Sequence, residues 1–163
     1  MCRHYPTRSF PKSRWRIIMQ SVSMFCESIE VKLQIGPDIR DITPDLDQLV
    51  RKSDIKSGSL YATMVGSTGS ITTIEFEPGA VEDLKRAIKR LAPPGLEYEH
   101  EKAWHDGNGH SHVQAALLGP SIALPIRNRQ LRLGTWQQVV AINHDNGPRT
   151  RTVEVTIIGT QQD

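Results

Sequence analysis

Disulfide chemistry has almost nothing to work with in this chain, which holds two cysteines, Cys2 and Cys26, among 163 residues. They make no Cys-x-x-Cys motif and no bridge framework, which points to a reducing cytoplasm. Aromatic residues make up only 6% of the chain. That argues against a nucleic-acid module built on stacked bases. Long apolar runs are missing too, and nothing approaches the roughly 20 residues needed to span a bilayer. Internal repeats and low-complexity segments are absent, so solenoids and disordered tails of biased composition are excluded.

What is present is an ordinary globular composition, 37% hydrophobic and 23% charged. The length suits one domain with a real core. The net charge of +2 is unevenly spread. Residues 1–26 hold Arg3, Arg8, Lys12, Arg14 and Arg16 and no acid. Taking those five from twenty bases leaves fifteen against eighteen acids in residues 27–163, so the body is mildly acidic. It offers no basic face for nucleic acid. Residues 1–23 read as a basic extension: an arm, a targeting peptide, or sequence upstream of a start at Met19 or Met24. Ile17-Ile18-Met19 is too short for a secretory h-region. Residues 24–163 form the expected domain.

Alternation of Ile29, Val31, Leu33 and Ile35 with polar neighbours predicts a half-buried strand over Ser28–Ile35. Thr43-Pro44-Asp45 opens a helix, with Leu46, Leu49 and Val50 as its buried stripe. Strands are expected over Leu60–Val65 and Ile71–Phe76. A second helix starts at Glu77-Pro78-Gly79, and Val81, Leu84, Ile88 and Leu91 share one face of it. The remainder reads as β: His110–Leu118, Ile122–Ile126, Leu131–Ile142 and Thr150–Ile158, with Asn128-Arg129 as a tight connection. The pattern predicts a single α+β domain, mainly an antiparallel β-sandwich with two helices.

Chemistry concentrates in one run, His100-Glu101-Lys102-Ala103-Trp104-His105-Asp106-Gly107-Asn108-Gly109-His110-Ser111-His112, which holds four of the six histidines. Imidazole is the commonest protein metal ligand and titrates near neutrality. On a strand, His110 and His112 would face the same way. The Gly107–Gly109 turn could bring His105 or Asp106 to the same ion, giving three ligands plus water, as in a catalytic zinc site. His100-Glu101 and His105 miss the zinc-protease spacing by one residue. Residues i and i+5 lie roughly 140° apart around a helix, which excludes that motif. His100 and His144 are expected to be ordinary surface histidines, and His4 belongs to the extension. Gly66-Ser67-Thr68-Gly69-Ser70 could bind phosphate through backbone amides, or could be a plain turn.

Glu99-His100-Glu101-Lys102, the run Trp104–His112, Leu118-Gly119-Pro120-Ser121 and Leu133-Gly134-Thr135-Trp136-Gln137-Gln138 together resemble the YjbQ-like family. This is also called UPF0047 or the secondary thiamine-phosphate synthase family. Ser67-Thr68, Thr72-Thr73-Ile74-Glu75, Pro148-Arg149-Thr150-Arg151 and Val155–Gly159 extend the likeness over about residues 25–160. The resemblance implies a homotrimeric α+β protein with a metal-compatible polar cleft. It also implies a weak thiamine-phosphate synthase activity in some members. That reaction joins a hydroxymethylpyrimidine pyrophosphate to a thiazole phosphate. The chain departs from the pattern at Gly66, where many members carry histidine, at Ile74, where many carry asparagine, and at Asn143, where a glutamate is common. His105 is then the expected replacement ligand.

The expected site therefore holds a divalent metal, zinc first, on His105, His110 and His112. Asp106 and Glu75 would orient water or handle a proton. Ser67, Thr68, Ser121, Gln137, Arg149 and Arg151 are candidates for a small phosphorylated substrate, since arginine's planar fork suits phosphate oxygens. Trp136 is expected to pack in the core or between subunits. Two other readings stand beside this one: a non-catalytic metal- or ligand-binding trimer, and a metal-dependent hydrolase.

Overall fold

The structure, a computed structural model, describes residues 21–161. The basic extension predicted for residues 1–23 lies almost wholly outside them. The elements run β1 (Ser23–Leu33), β2 (Asp38–Asp41), α1 (Thr43–Ser53), β3 (Ser57–Met64), β4 (Gly69–Ile74), α2 (Pro78–Leu91), α3 (Glu101–Trp104), α4 (Gly109–Leu118), β5 (Ser121–Arg127), β6 (Gln130–Leu131), β7 (Gln138–Asn143) and β8 (Arg149–Thr160). Five strands form one sheet in the order β1-β8-β3-β5-β6, and three form a second in the order β2-β7-β4. Every pairing is antiparallel. The predicted α+β class holds, with two short helices, α3 and α4, added to the two expected.

The layers follow from which faces are apolar. β8 alternates Val153, Val155 and Ile157 inward with polar residues outward, the signature of a strand wet on one side. Its inner face meets Leu60, Ala62, Leu124 and Val31 of neighbouring strands, Leu46, Leu49 and Val50 of α1, and Ile71 and Val139 of the second sheet. β7 is buried from Val139 to Asn143 because it has a layer on either side. Val140 and Ile142 turn away from the main core and pack with Ile39 against Ile88 of α2.

Local chemistry sets the ends. The Glu77 carboxylate accepts hydrogen bonds from the Gly79 and Ala80 amides and caps α2. Asn128 and Arg129 have φ of 54° and 60°, the left-handed pair that a two-residue hairpin requires. The expected strand Leu131–Ile142 is broken, because residues 132–137 leave the sheet. The Gln137 side chain ties that loop down, accepting from the Gly134 amide at 3.0 Å and donating to Thr73 Oγ1 at 3.0 Å.

The main correction is His110–Leu118, predicted as a strand and folded within helix α4, Gly109–Leu118. Its buried residues are Gly109, His110, Ser111, Gln114 and Ala115, a helical spacing. Three of the five are polar, so the buried face carried no apolar stripe to read. Among the described residues no helix is long and apolar enough to cross a membrane.

Candidate functional site

The turn from β3 to β4 carries the chain from one sheet to the other, and α4 lies across its end. Between them is a cavity of about 340 Å³ lined by Gly66, Ser67, Gly69, His112, Ala115, Ala116 and Pro120. Small apolar residues make most of the wall, with His112 and Ser67 as its polar groups. A few oriented polar groups in an otherwise apolar concavity is the usual make-up of a small-molecule site.

Beneath the turn lies a buried polar network centred on His144, which is fully buried and not the surface histidine expected. Its Nδ1 meets Gln114 Oε1 at 3.2 Å, and its Nε2 meets Ser70 Oγ at 2.7 Å. The Gln114 amide nitrogen donates to the Ala92 carbonyl, which fixes the amide's orientation. Nδ1 therefore donates to Gln114, and the Ser70 hydroxyl donates to Nε2. Burial, reinforced by the charges of Arg151 and His110, pushes the His144 pKa down to about 4, so the ring is neutral. The backbone is clasped as well: the His144 amide donates to the Thr68 carbonyl at 2.9 Å, and Ser111 Oγ donates to the His144 carbonyl at 2.7 Å.

Next in sequence, Asp145 is almost fully buried. It accepts from Arg149 Nη2 at 2.9 Å, Thr68 Oγ1 at 3.0 Å and the Gly147 amide at 3.1 Å. Burial alone would raise its pKa, but these hydrogen bonds outweigh it and hold the carboxyl below its ordinary value. Arg151, only 8% exposed, donates from Nη2 to Thr68 Oγ1 at 2.6 Å and from Nε to Asn143 Oδ1 at 3.1 Å. Arg151 Nη2 also stands 3.6 Å from Asp145 Oδ2. Two guanidinium groups thus share one carboxylate, leaving one surplus positive charge below the turn.

The predicted metal ligands do not assemble. With 109–118 helical, His110 and His112 are roughly 200° apart around the axis and point away from each other. His110 is 8% exposed; burial lowers its pKa, partly offset by a hydrogen bond to the Gly107 backbone. His105 is exposed at the left-handed end of α3, with φ of 51°. Among the described residues, no group of three or more His, Cys, Asp or Glu side chains is placed to hold a metal ion. Within the described chain, the donor set proposed from the sequence does not converge on one point. The surprise is His100, set aside on spacing alone. Its ring lies 4.5 Å from that of His112, centroid to centroid, and its Nε2 stands 3.5 Å from Asp106 Oδ1.

The other predicted residues divide. Ser67 lines the cavity, and Thr68 is buried in the network just behind it. Arg149 is spent on Asp145. Ser121 Oγ pairs with Thr63 Oγ1 at 3.0 Å. Glu75 lies beyond the far end of β4, six extended residues or roughly 20 Å from Gly69. There it lines a separate groove with Asp41, Phe76 and Trp136. Trp136 is 70% exposed rather than packed in the core of the chain. His144, Asp145 and Gln114 had no legible signal, since a polar run after a strand reads as a surface turn.

The sequence and the fold are matched by known proteins. The family model described as UPF0047 protein YjbQ-like matches residues 27–160, and the chain belongs to that family. A UPF0047 protein of Archaeoglobus fulgidus is 36% identical over 118 residues, covering 72% of this chain and 89% of the relative. The UPF0047 protein YugU of Bacillus subtilis is 29% identical over 135 residues, covering 82% and 98%. Among solved structures, a YbjQ-like protein of unknown function from Sulfolobus solfataricus superposes with a TM-score of 0.81 at 31% identity, covering 85% of this chain and 99% of that one.

Proposed function

We propose that the cavity between the Gly66–Gly69 turn and α4 binds a small phosphorylated aromatic compound and that the chain is a transferase of the thiamine-phosphate synthase type. The observation that carries this reading is the pairing of an apolar, ring-sized space with one surplus positive charge beneath one wall. In such a transfer the bond between the pyrimidine's methylene carbon and the pyrophosphate oxygen breaks. Pyrophosphate leaves with the electron pair, and the thiazole nitrogen supplies the pair that forms the new carbon–nitrogen bond. No protein nucleophile is needed. What the reaction asks of a protein is a dry shelf for the rings and fixed positive charge where the leaving group gathers negative charge. Ala115, Ala116 and Pro120 provide the shelf. His112, packed on His100 beside Asp106, provides a donor at the cavity wall.

The test is direct. The full chain, given both substrates, should release thiamine phosphate and pyrophosphate in equal amounts. Ala116→Phe fills the cavity from an exposed helix position and should cut the rate about tenfold or more with the fold intact. Product no higher than in an enzyme-free control would remove the reading.

A further inference from the structure

We infer that the chain holds the phosphoryl end of its ligand with Arg151, whose guanidinium reaches the cavity through the gap left by the missing side chain of Gly66. The inference rests on the proposal that this cavity takes a phosphorylated compound, and it selects one anion-binding group among the candidates around it.

Arg151 is held rigidly. Nε and Nη2 are committed to Asn143 Oδ1, Thr68 Oγ1 and the Thr68 carbonyl. Nη1 donates no hydrogen bond to any described residue. A Cβ built on Gly66 would stand 3.1 Å from Nη1 and would meet no other atom within 4 Å. Gly66 is exposed and lines the cavity, so Nη1, although Arg151 is not itself a lining residue, stands directly behind a glycine of the cavity wall. The amides of Gly66, Ser67 and Thr68 likewise donate to no described acceptor.

Three of the other candidates are engaged elsewhere. Thr68 Oγ1 donates to Asp145 and accepts from Arg151. Arg149 is tied to Asp145, and Ser121 to Thr63. Because Arg149 takes up part of the Asp145 charge, Arg151 is not fully neutralised. A fixed, partly desolvated guanidinium with one free edge suits a phosphate oxygen, because little entropy remains to be lost when the bond forms. Gly66 has φ of 123°, a conformation that a side chain resists, so the gap is built into the backbone as well.

Inorganic pyrophosphate is the probe. Titration calorimetry on the full chain should show binding to the unaltered protein. Arg151→Gln and Gly66→Ala should each weaken it about tenfold or more, the worth of one charge-assisted hydrogen bond. Lys52→Gln, which removes an exposed cation on α1, should leave it unchanged. Arg151 is buried in a network, so its variant is scored only if it melts cooperatively. Gly66→Ala, on an exposed turn, decides the matter otherwise. Failure of the unaltered chain to bind, or binding unmoved by Gly66→Ala, overturns the inference. Loss of turnover with Arg151-dependent pyrophosphate binding intact would remove the proposed reaction and leave this subsite standing. Turnover with pyrophosphate binding indifferent to both variants would do the reverse.

Discussion

His144 shows how a single side chain can couple two layers. It joins β4 through Ser70 and α4 through Gln114 and Ser111, and it does so as a neutral ring. Unfolding releases a histidine of ordinary pKa near 6.5, while the folded one sits at about 4. Between those values the unfolded chain binds a proton that the folded chain refuses. The contribution is therefore complete above pH 6.5 and is lost as pH falls toward 4, to a total of about 3 kcal/mol. Asp145 adds acid sensitivity of the same sign, because its folded carboxyl titrates low. Urea midpoints measured from pH 7 to pH 4.5 should fall steeply, and the fall should be shallower in His144→Gln. Parallel slopes for the two proteins would show that His144 is not the sensor. At this scale, the site was half legible. A histidine run flags imidazole chemistry, and Ser67 and His112 do line the cavity. Which rings meet is a matter of tertiary placement, and His100, dismissed on spacing, is the one that packs on His112.

Elements were legible where one face is apolar and the ends are marked. Pro44 and Pro78 sit in the first turns of α1 and α2. α1 buries Leu46, Leu49 and Val50 as its stripe predicts, whereas α2 buries Ile88, half-buries Val81 and Leu84, and leaves Leu91 at its C-terminal end 69% exposed. α4 was misread for the opposite reason: its buried face is His110, Ser111 and Gln114, whose burial depends on partners far away in sequence. Sheet elements carry a constraint that hydropathy does not show. Gly58 of β3 stands opposite Gly159 of β8. A Cβ on Gly58 would come 2.1 Å from the Ile158 carbonyl oxygen, and one on Gly159 would come 2.1 Å from that of Ser57. Neither obstacle is a flexible side chain, so the strands would have to part. Gly58→Ala and Gly159→Ala should each cost about 2–4 kcal/mol, well above the usual surface substitution. Thermal melts of the two variants check this. Melting temperatures equal to that of the parent would mean that the two backbones are less tightly apposed than the register requires.

The whole molecule is organised around its last strand. β8 lies between β1 and β3, so an interior strand of the larger sheet is supplied by C-terminal residues. It pairs with β1 along its full length, from Ser23↔Gly159 to Leu33↔Arg149. It also brings Val153, Val155 and Ile157 to the core and Arg151 to the network under the turn. Folding and site assembly are thereby one event: β1 has no sheet partner until β8 arrives, and the Gly66–Gly69 turn has no buried cation until then. Such long-range pairing carries a large loop-closure cost before any contact offsets it, which places folding in the millisecond-to-second range. A chain ending at Gly147 lacks β8 and should show no cooperative thermal or urea transition, with pyrophosphate binding lost as well. If that shortened chain unfolded cooperatively, the contacts between the sheets that remain, those of β4 with β3 and β5 and of α1 with both layers among them, would have to suffice without β8. The fold would then be separable from the site in a way that the register of β8 argues against.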